Sequence, residues 1–263
     1  MNAIILAAGK GKRLSPLTND KPKCLVELFG KPLLEWQIET FQNSGITDIT
    51  IVSGYKSDLI NFPETTILKN EKYDSTNMVE TLFYAKEKML DSTIVSYGDI
   101  IFEKNVLNKL IQSKADFSII VDKNWKRYWE MRFDNPLNDS ESLKIDTDGN
   151  ITSIGKKVQK IDEIEGQYIG LMKFQNVGLE KIKEFYEKTK SQSTNESNPL
   201  NPLVSFQQSF MTDFLQALIN DGCKLKAIEI ENGWLELDTV SDYDKYTELY
   251  SKNKLSEFID LGN

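Results

Sequence analysis

The sequence predicts one α/β domain over residues 1–263, built as a Rossmann-like, doubly wound sheet that is mixed, mostly parallel and flanked by helices. Three observations predict it. Apolar runs of strand length alternate with amphipathic segments through the first hundred residues, the pattern of βαβ units. A chain of 263 residues suffices for one large core, and α/β domains of this size commonly stay undivided. No internal repeat interrupts the pattern.

In chain order, residues 3–8 form a short apolar run that reads as a buried strand. Residues 24–30 are strand-like, and Pro32 opens a helix with Leu34, Ile38 and Phe41 on one face, ended by Gly45. Strands follow at 49–53 and 65–69. Asn77-x-x-Glu80 has the spacing of a capping box heading a helix to about Leu90, and residues 93–97 form another apolar strand ending in Gly98-Asp99. The second half changes character. A strand at 116–121 precedes a hairpin that turns at Asp148-Gly149 between 142–145 and 151–154, then a strand at 167–174. Helices are expected at 177–190 and 206–220, the latter stopped by Gly222. Between them residues 191–202, rich in Ser, Asn and Pro, read as a mobile loop. Strands at 224–230 and 234–237 and a helix capped by Ser241 complete the chain. Residues 1–115 read as a nucleotide-binding half and 116–263 as an acceptor-binding half, for the following reasons.

The first strand delivers the chain into a loop with two glycines, three cations and no acid before Asp20, closed by Lys21-Pro22-Lys23. Gly9 and Gly11 let the backbone approach a ligand, so that N–H groups can point at phosphate oxygens while Lys10, Lys12, Arg13 and Lys23 supply charge. A nucleoside triphosphate is the expected ligand. One residue, not four, separates the glycines, which excludes a Walker A loop. Leu14 stands where a dinucleotide fingerprint needs its third glycine, and Ser15-Pro16 opposes an immediate helix.

Composition narrows the chemistry. Forty acids against 32 lysines and arginines give a net charge of -8, which argues against nonspecific nucleic-acid binding and marks the cationic loop as a local feature. No apolar run approaches the roughly 18 residues of a membrane span, and the chain starts in a core strand without a leader; a cytoplasmic location is expected. Cys24 and Cys223 are too few for a disulfide scaffold. There is no histidine, which removes Ser-His and Cys-His catalysis and His-ligated zinc and leaves carboxylates, Lys, Arg and Tyr. A hard ion such as Mg²⁺ fits that inventory. Asp99 follows an apolar strand and a glycine, at the carboxyl end of the sheet where open α/β folds bind ligands. Asp238 repeats the arrangement after residues 234–237, with Glu236 on its face of the strand. Either acid could instead be a turn or capping residue.

The run Leu6-Ala7-Ala8-Gly9-x-Gly11-x-Arg13-Leu14-x-Pro16-Leu17-Thr18, then Lys21-Pro22-Lys23, resembles the signature of nucleotidyltransferases that make activated sugars and activated alcohol phosphates. The resemblance implies a doubly wound fold whose signature loop, Leu6, Ala7, Ala8, Gly9, Lys10 and Gly11, wraps a triphosphate. It implies Arg13 on the departing pyrophosphate, Lys23 on the phosphoryl group under attack, and Asp99 with Asp238 as magnesium ligands. Residues 70–78 resemble the CTP-using branch, and no Gln-Pro-x-Gly element of the sugar-1-phosphate branch is present. Tyr73, Ser75, Asn77 and Gly98 are then nucleotide-binding candidates, with Asn77 equally a helix cap.

Over nearly the whole chain the similarity is to cytidylyltransferases acting on glutamine phosphate for capsule phosphoramidate synthesis, and more distantly to bacterial phosphocholine enzymes. It implies CTP and a small phosphorylated amine or amino acid as partners: glutamine phosphate first, phosphocholine or an aminoalkylphosphonate next. Trp125 and Trp129, one helical turn apart, could form an aromatic cage with Tyr168 and Trp234, or could be core. Arg132 and Lys156, with Arg127 and Lys157, could grip phosphate or carboxylate, and Gln167 could read an amide. Glu236 is a further acceptor-side candidate. Two other readings remain open: a sugar-1-phosphate nucleotidyltransferase, and a nucleotide-sensing protein with its chemistry lost.

Overall fold

The structure is a computed structural model that describes residues 1–194 and 196–262. Strands β1 (Asn2–Ala7), β4 (Ile49–Ser53), β5 (Thr65–Lys69), β6 (Ser92–Tyr97), β8 (Phe117–Asp122), β9 (Glu141–Ile145), β10 (Asn150–Lys157), β11 (Gln167–Gln175) and β12 (Leu225–Ile230) join, among the described residues, in one sheet. Its order is β5-β4-β1-β6-β11-β8-β12-β10-β9. β5, β4, β1 and β6 are mutually parallel, and β11 and β10 run against the remaining strands.

Strand alternation explains the two-sided winding. Ala3, Ile5 and Ala7 face one apolar layer, with α1 (Leu33–Asn43), α3 (Lys104–Gln112), α4 (Trp125–Arg132) and α7 (Val240–Ser251). Ile4 and Leu6 face the other, with α2 (Met78–Tyr84), α5 (Val177–Gln192) and α6 (Met211–Asn220). A strand buried on both faces reads as a near-continuous apolar run, and every residue of β1 is buried, Asn2 at its start being satisfied by Lys88 O and Thr93 Oγ1.

Several boundaries depart from expectation. Residues 24–30 hold a 3₁₀ turn, Lys23–Leu25, and the two-residue strand β2 (Glu27–Leu28), which pairs with β3 (Lys31–Pro32). α2 stops at Tyr84, and its expected capping box does not form. Asn77 caps Met78 N at 2.8 Å, but Glu80 turns away to accept from Tyr186 Oη at 2.7 Å. α6 starts at Met211 after a 3₁₀ turn, Phe206–Gln208. α7 is capped by Thr239 with Asp242, because Ser241 already lies inside the helix. In the segment read as a mobile loop, Ser191 and Gln192 finish α5, and buried Asn198 donates to Val204 O (3.2 Å) and Ser209 Oγ (2.9 Å). Asn195 lies outside the described residues.

The last strand leaves the main sheet. β13 (Trp234–Glu236) pairs antiparallel with β7 (Ile100–Phe102), a strand too short to carry a sequence pattern. Their register sets Glu236 against Ile100, and Leu237 N donates to Asp99 O at 2.9 Å. This ribbon brings Asp99 and Asp238 side by side from positions far apart in the chain.

Candidate active site

The signature loop leaves β1 at Ala7 and is shaped by close backbone approach. Gly98 N donates to Leu6 O at 2.9 Å, and a Cβ on Gly98 would meet Leu6 O at 2.9 Å and Ala7 Cα at 3.0 Å. Gly11 adopts φ +68°, and a Cβ there would lie 2.8 Å from the Lys23 Cβ. The loop therefore wraps the stem of Lys23. Thr18 Oγ1 donates to Gly11 O at 2.9 Å, closing the turn.

Lys23 extends to the ribbon, where Nζ lies 2.7 Å from Asp99 Oδ2 and 2.8 Å from Asp238 Oδ1. Arg13 pairs with Asp238 from the other side, its side chain 65% exposed and open to a ligand. Burial opposes the charge on Lys23, but the carboxylates of Asp99, Asp238 and Glu236 outweigh it and hold the amine above the ordinary lysine range. The corner carrying Asp99 is fixed by Gln37, fully buried on α1, whose Nε2 donates to Tyr97 O (2.9 Å) and Ile100 O (2.8 Å). Ser96 Oγ donates to Gln37 Oε1 in turn. Asp99 Oδ1 is buried without a hydrogen-bond partner.

Leu6, Ala7, Gly9, Lys23, Gly98 and Asp99 line a small cavity with Cys24 and Met78. Burial pushes the Cys24 thiol up to about 12, so it stays protonated. Tyr55 N donates to Ala8 O at 3.1 Å, Lys10 lies 5.1 Å over the Tyr55 ring, and Tyr73 packs 6.2 Å from it. Lys10, Tyr55 and Tyr73 thus form a wall beside Ala8. Ser75 is exposed and donates to Lys72 O, while Asn77 serves as the α2 cap and borders the neighbouring cleft.

That cleft, of about 280 Å³, brings Arg13, Asn77, Trp129, Gln167, Tyr168, Trp234 and Glu236 together. Its wall adds Tyr97 and Phe210, and three acids face it: Asp139, Glu141 and Glu236. Loss of hydration, with Asp213, Asp139 and Glu236 nearby, pushes the Glu141 carboxyl up to about 7. Asp139, Glu141, Tyr97 and Phe210 were not anticipated. The two acids sit in Asn138-Asp139-Ser140-Glu141, which reads as a polar turn, and nothing local in the sequence aims them inward.

Four expectations on the acceptor side are corrected. Arg132 does not grip a ligand: its side chain is fully buried and paired with Glu236 and Asp242. Lys156 is exposed on β10, outside the residues lining the cleft. Trp125 is core, edge to face with Trp129 at 6.2 Å, so the aromatic wall is Trp129, Tyr168 and Trp234 without it. Gln167 borders the cleft, but its amide is committed to the backbone, donating to Glu141 O at 2.7 Å. Of the outlying cations, Arg127 pairs with Glu257.

Among the described residues no three or more Cys, Asp or Glu side chains form a metal cluster. No helix there is long and apolar enough to cross a membrane. Residues 3–220 match the model of the MobA-like NTP transferase domain. The chain is 42% identical over 259 residues to CTP:phosphoglutamine cytidylyltransferase of Campylobacter jejuni, covering 94% of this chain and 100% of that one. It is 37% identical over 117 residues to choline-phosphate cytidylyltransferase of Streptococcus pneumoniae, covering 43% of this chain and 51% of that one. The solved CTP:phosphocholine cytidylyltransferase of S. pneumoniae superposes with a TM-score of 0.71 at 23% identity, covering 95% of this chain and 98% of that one, and so shares the fold. A signature loop, two strand-end acids and a neighbouring cleft that Arg13 borders are thus carried on a nucleotidyltransferase scaffold, and the chain belongs to the MobA-like NTP transferase family.

Proposed function

We propose that this enzyme is a CTP-dependent cytidylyltransferase acting on a small phosphorylated amine or amino acid, with glutamine phosphate as acceptor and CDP-L-glutamine as product. A phosphate oxygen of the acceptor attacks the α-phosphorus of CTP. The bond from that phosphorus to the bridging oxygen of the β-phosphate breaks, and pyrophosphate departs with the electron pair. The acceptor phosphate is already ionised at neutral pH, so no general base is needed and the lack of histidine costs nothing. Arg13 balances charge on the departing pyrophosphate, and Lys23 balances charge on the α-phosphoryl oxygens.

The observation that carries this reading is the convergence of Lys23, Asp99 and Asp238 where the signature loop meets the cleft. Asp99 and Asp238 would hold Mg²⁺, and the unpartnered buried Oδ1 of Asp99 fits that use. Two carboxylates match an ion that takes its other ligands from phosphates and water. When bound, Mg²⁺ supplies charge neutralisation to the triphosphate. Aromatic faces beside Asp139, Glu141 and Glu236 favour an acceptor carrying an ammonium group. The same wall supports phosphocholine or an aminoalkylphosphonate as a second reading. The full-length similarity to the Campylobacter enzyme favours glutamine phosphate. We place the enzyme in the cytoplasm, where CTP is available and Cys24 and Cys223 stay reduced, and its product in capsule synthesis.

A pyrophosphate-release screen of four nucleoside triphosphates against these acceptors and hexose 1-phosphates tests the proposal. Turnover with CTP and glutamine phosphate is expected. Turnover only with UTP or dTTP and a hexose phosphate would overturn it in favour of the sugar branch, and no turnover with any pair would leave a nucleotide-binding protein.

A further inference from the structure

The buried arginine that does not touch the cleft has a different use. Arg132, at the end of α4, sends Nη1 to Glu236 Oε2 (2.7 Å) and the other edge of its guanidinium to both oxygens of Asp242, at 3.0 and 3.2 Å. Asp242 Oδ2 also accepts from Asp238 N (3.1 Å) and Thr239 N (2.9 Å). The residue behind Asp238 is therefore clamped from two sides. Tyr246 Oη donates to Glu236 O at 2.7 Å, and Tyr128 Oη accepts from Glu236 N at 2.8 Å, so both backbone polar groups of Glu236, two residues before Asp238, are bonded to tyrosines.

A helix cap alone does not require this. Thr239 Oγ1 accepts from Asp242 N, and Asp242 returns the bond to Thr239 N, which completes the cap of α7 without any arginine. Burying a guanidinium against two carboxylates is a poor way to gain stability, because desolvation offsets the attraction. What it provides is direction: a forked donor fixes both planes at once. Arg132 reaches Asp242 from the helix whose Trp129 backs the acceptor cleft, so one side chain ties that wall to the strand end carrying Asp238.

We propose that Arg132 and Asp242 are positioning residues that hold the Asp238 carboxylate in the geometry needed to bind a divalent cation. The proposal rests on the reading of Asp238 as a metal ligand. The test measures Mn²⁺ binding in the presence of CTP, from the signal of free Mn²⁺ in electron paramagnetic resonance, for Asp238→Asn, Asp242→Asn, Arg132→Lys and the double variant Asp238→Asn/Asp242→Asn. Lys252→Ala, on an exposed helix pair, is the control.

Asp242→Asn and Arg132→Lys are expected to weaken Mn²⁺ binding about tenfold or more. The double variant should bind no worse than Asp238→Asn alone, and Lys252→Ala should bind Mn²⁺ like the parent. If Asp238→Asn binds Mn²⁺ like the parent, the metal reading fails and takes the inference with it. If Asp238→Asn loses affinity while folded Asp242→Asn and Arg132→Lys keep it, or if the double variant loses the product of the two effects, the inference alone is overturned. Arg132→Lys retains the buried charge and decides the matter should Asp242→Asn melt below the assay temperature.

Discussion

The two sides of the site are made of different material. The side proposed to hold the nucleotide is mostly backbone: glycines at 9, 11 and 98, carbonyls of Leu6 and Ala8 bonded to neighbouring chain, and cations reaching in from the loop. The acceptor side is mostly side chain: three acids, an aromatic wall, and buried polar groups behind them. Backbone tolerates few substitutions, so the first side must look alike wherever the same triphosphate is held. Side chains can be exchanged one at a time, so on the proposed reading the second is where acceptors would be told apart.

The sharpest test of that contrast is Lys23, which touches both strand-end acids. Lys23→Ala is expected to lower kcat by about 10²–10³-fold, the scale of a preorganised charge in a transition state. Steady-state kinetics at saturating CTP checks it, with circular dichroism for the fold. Gly98→Ala probes the backbone side directly. Its methyl has nowhere to go but into Leu6 O and Ala7, and a loss of about 1–3 kcal/mol in denaturant unfolding is expected, of the size overpacking produces. If Gly98→Ala proves neutral, the nucleotide side is less rigid than its contacts imply.

Glu141 tests the acceptor side through pH. Its carboxyl titrates near 7 in the folded protein against 4.5 ordinarily, so the folded state holds that proton more tightly. The contribution to stability is complete below about pH 4.5 and is lost as pH rises through 7. Unfolding midpoints of Glu141→Gln should therefore gain on the parent above pH 7. For an ammonium-bearing acceptor, KM should climb as pH falls below 7, by about tenfold per unit at most, while KM for CTP stays level. A KM profile that Glu141→Gln leaves unaltered removes Glu141 from acceptor binding. The smallest effect belongs to Lys156→Ala, expected to change either KM less than about twofold because an exposed lysine outside the cleft is already solvated.

The same contrast explains what could be read before the structure. Arg13 and Lys23 stand in a local motif, because a loop suited to phosphate places glycines and cations at fixed spacing along the chain, and Asp99 is marked by the apolar strand it follows. The strands of the parallel half were legible for a related reason: β1, buried on both faces, is an unbroken apolar run after Asn2. The acceptor side has no such grammar. Arg132 on a short helix looks like a surface cation until α7 supplies Asp242 from 110 residues away. Asp139 and Glu141 look like turn residues until β11 lies beside them. The meeting of Asp99 with Asp238 depends on the β7–β13 register, and a three-residue strand such as β7 is too short to announce itself.

The ammonium of Lys23, wedged between two acids, has one last implication. Without it two like charges would face each other across a few ångströms of poorly hydrated space, and the ribbon end would tend to splay. The protein carries its own counter-ion there, and so keeps the corner formed by Asp99 and Asp238 assembled. On the proposed reading, a divalent ion held by Asp99 and Asp238 would take that place and leave the amine to the phosphates, so that arrival of the nucleotide and filling of the corner would be a single exchange of partners.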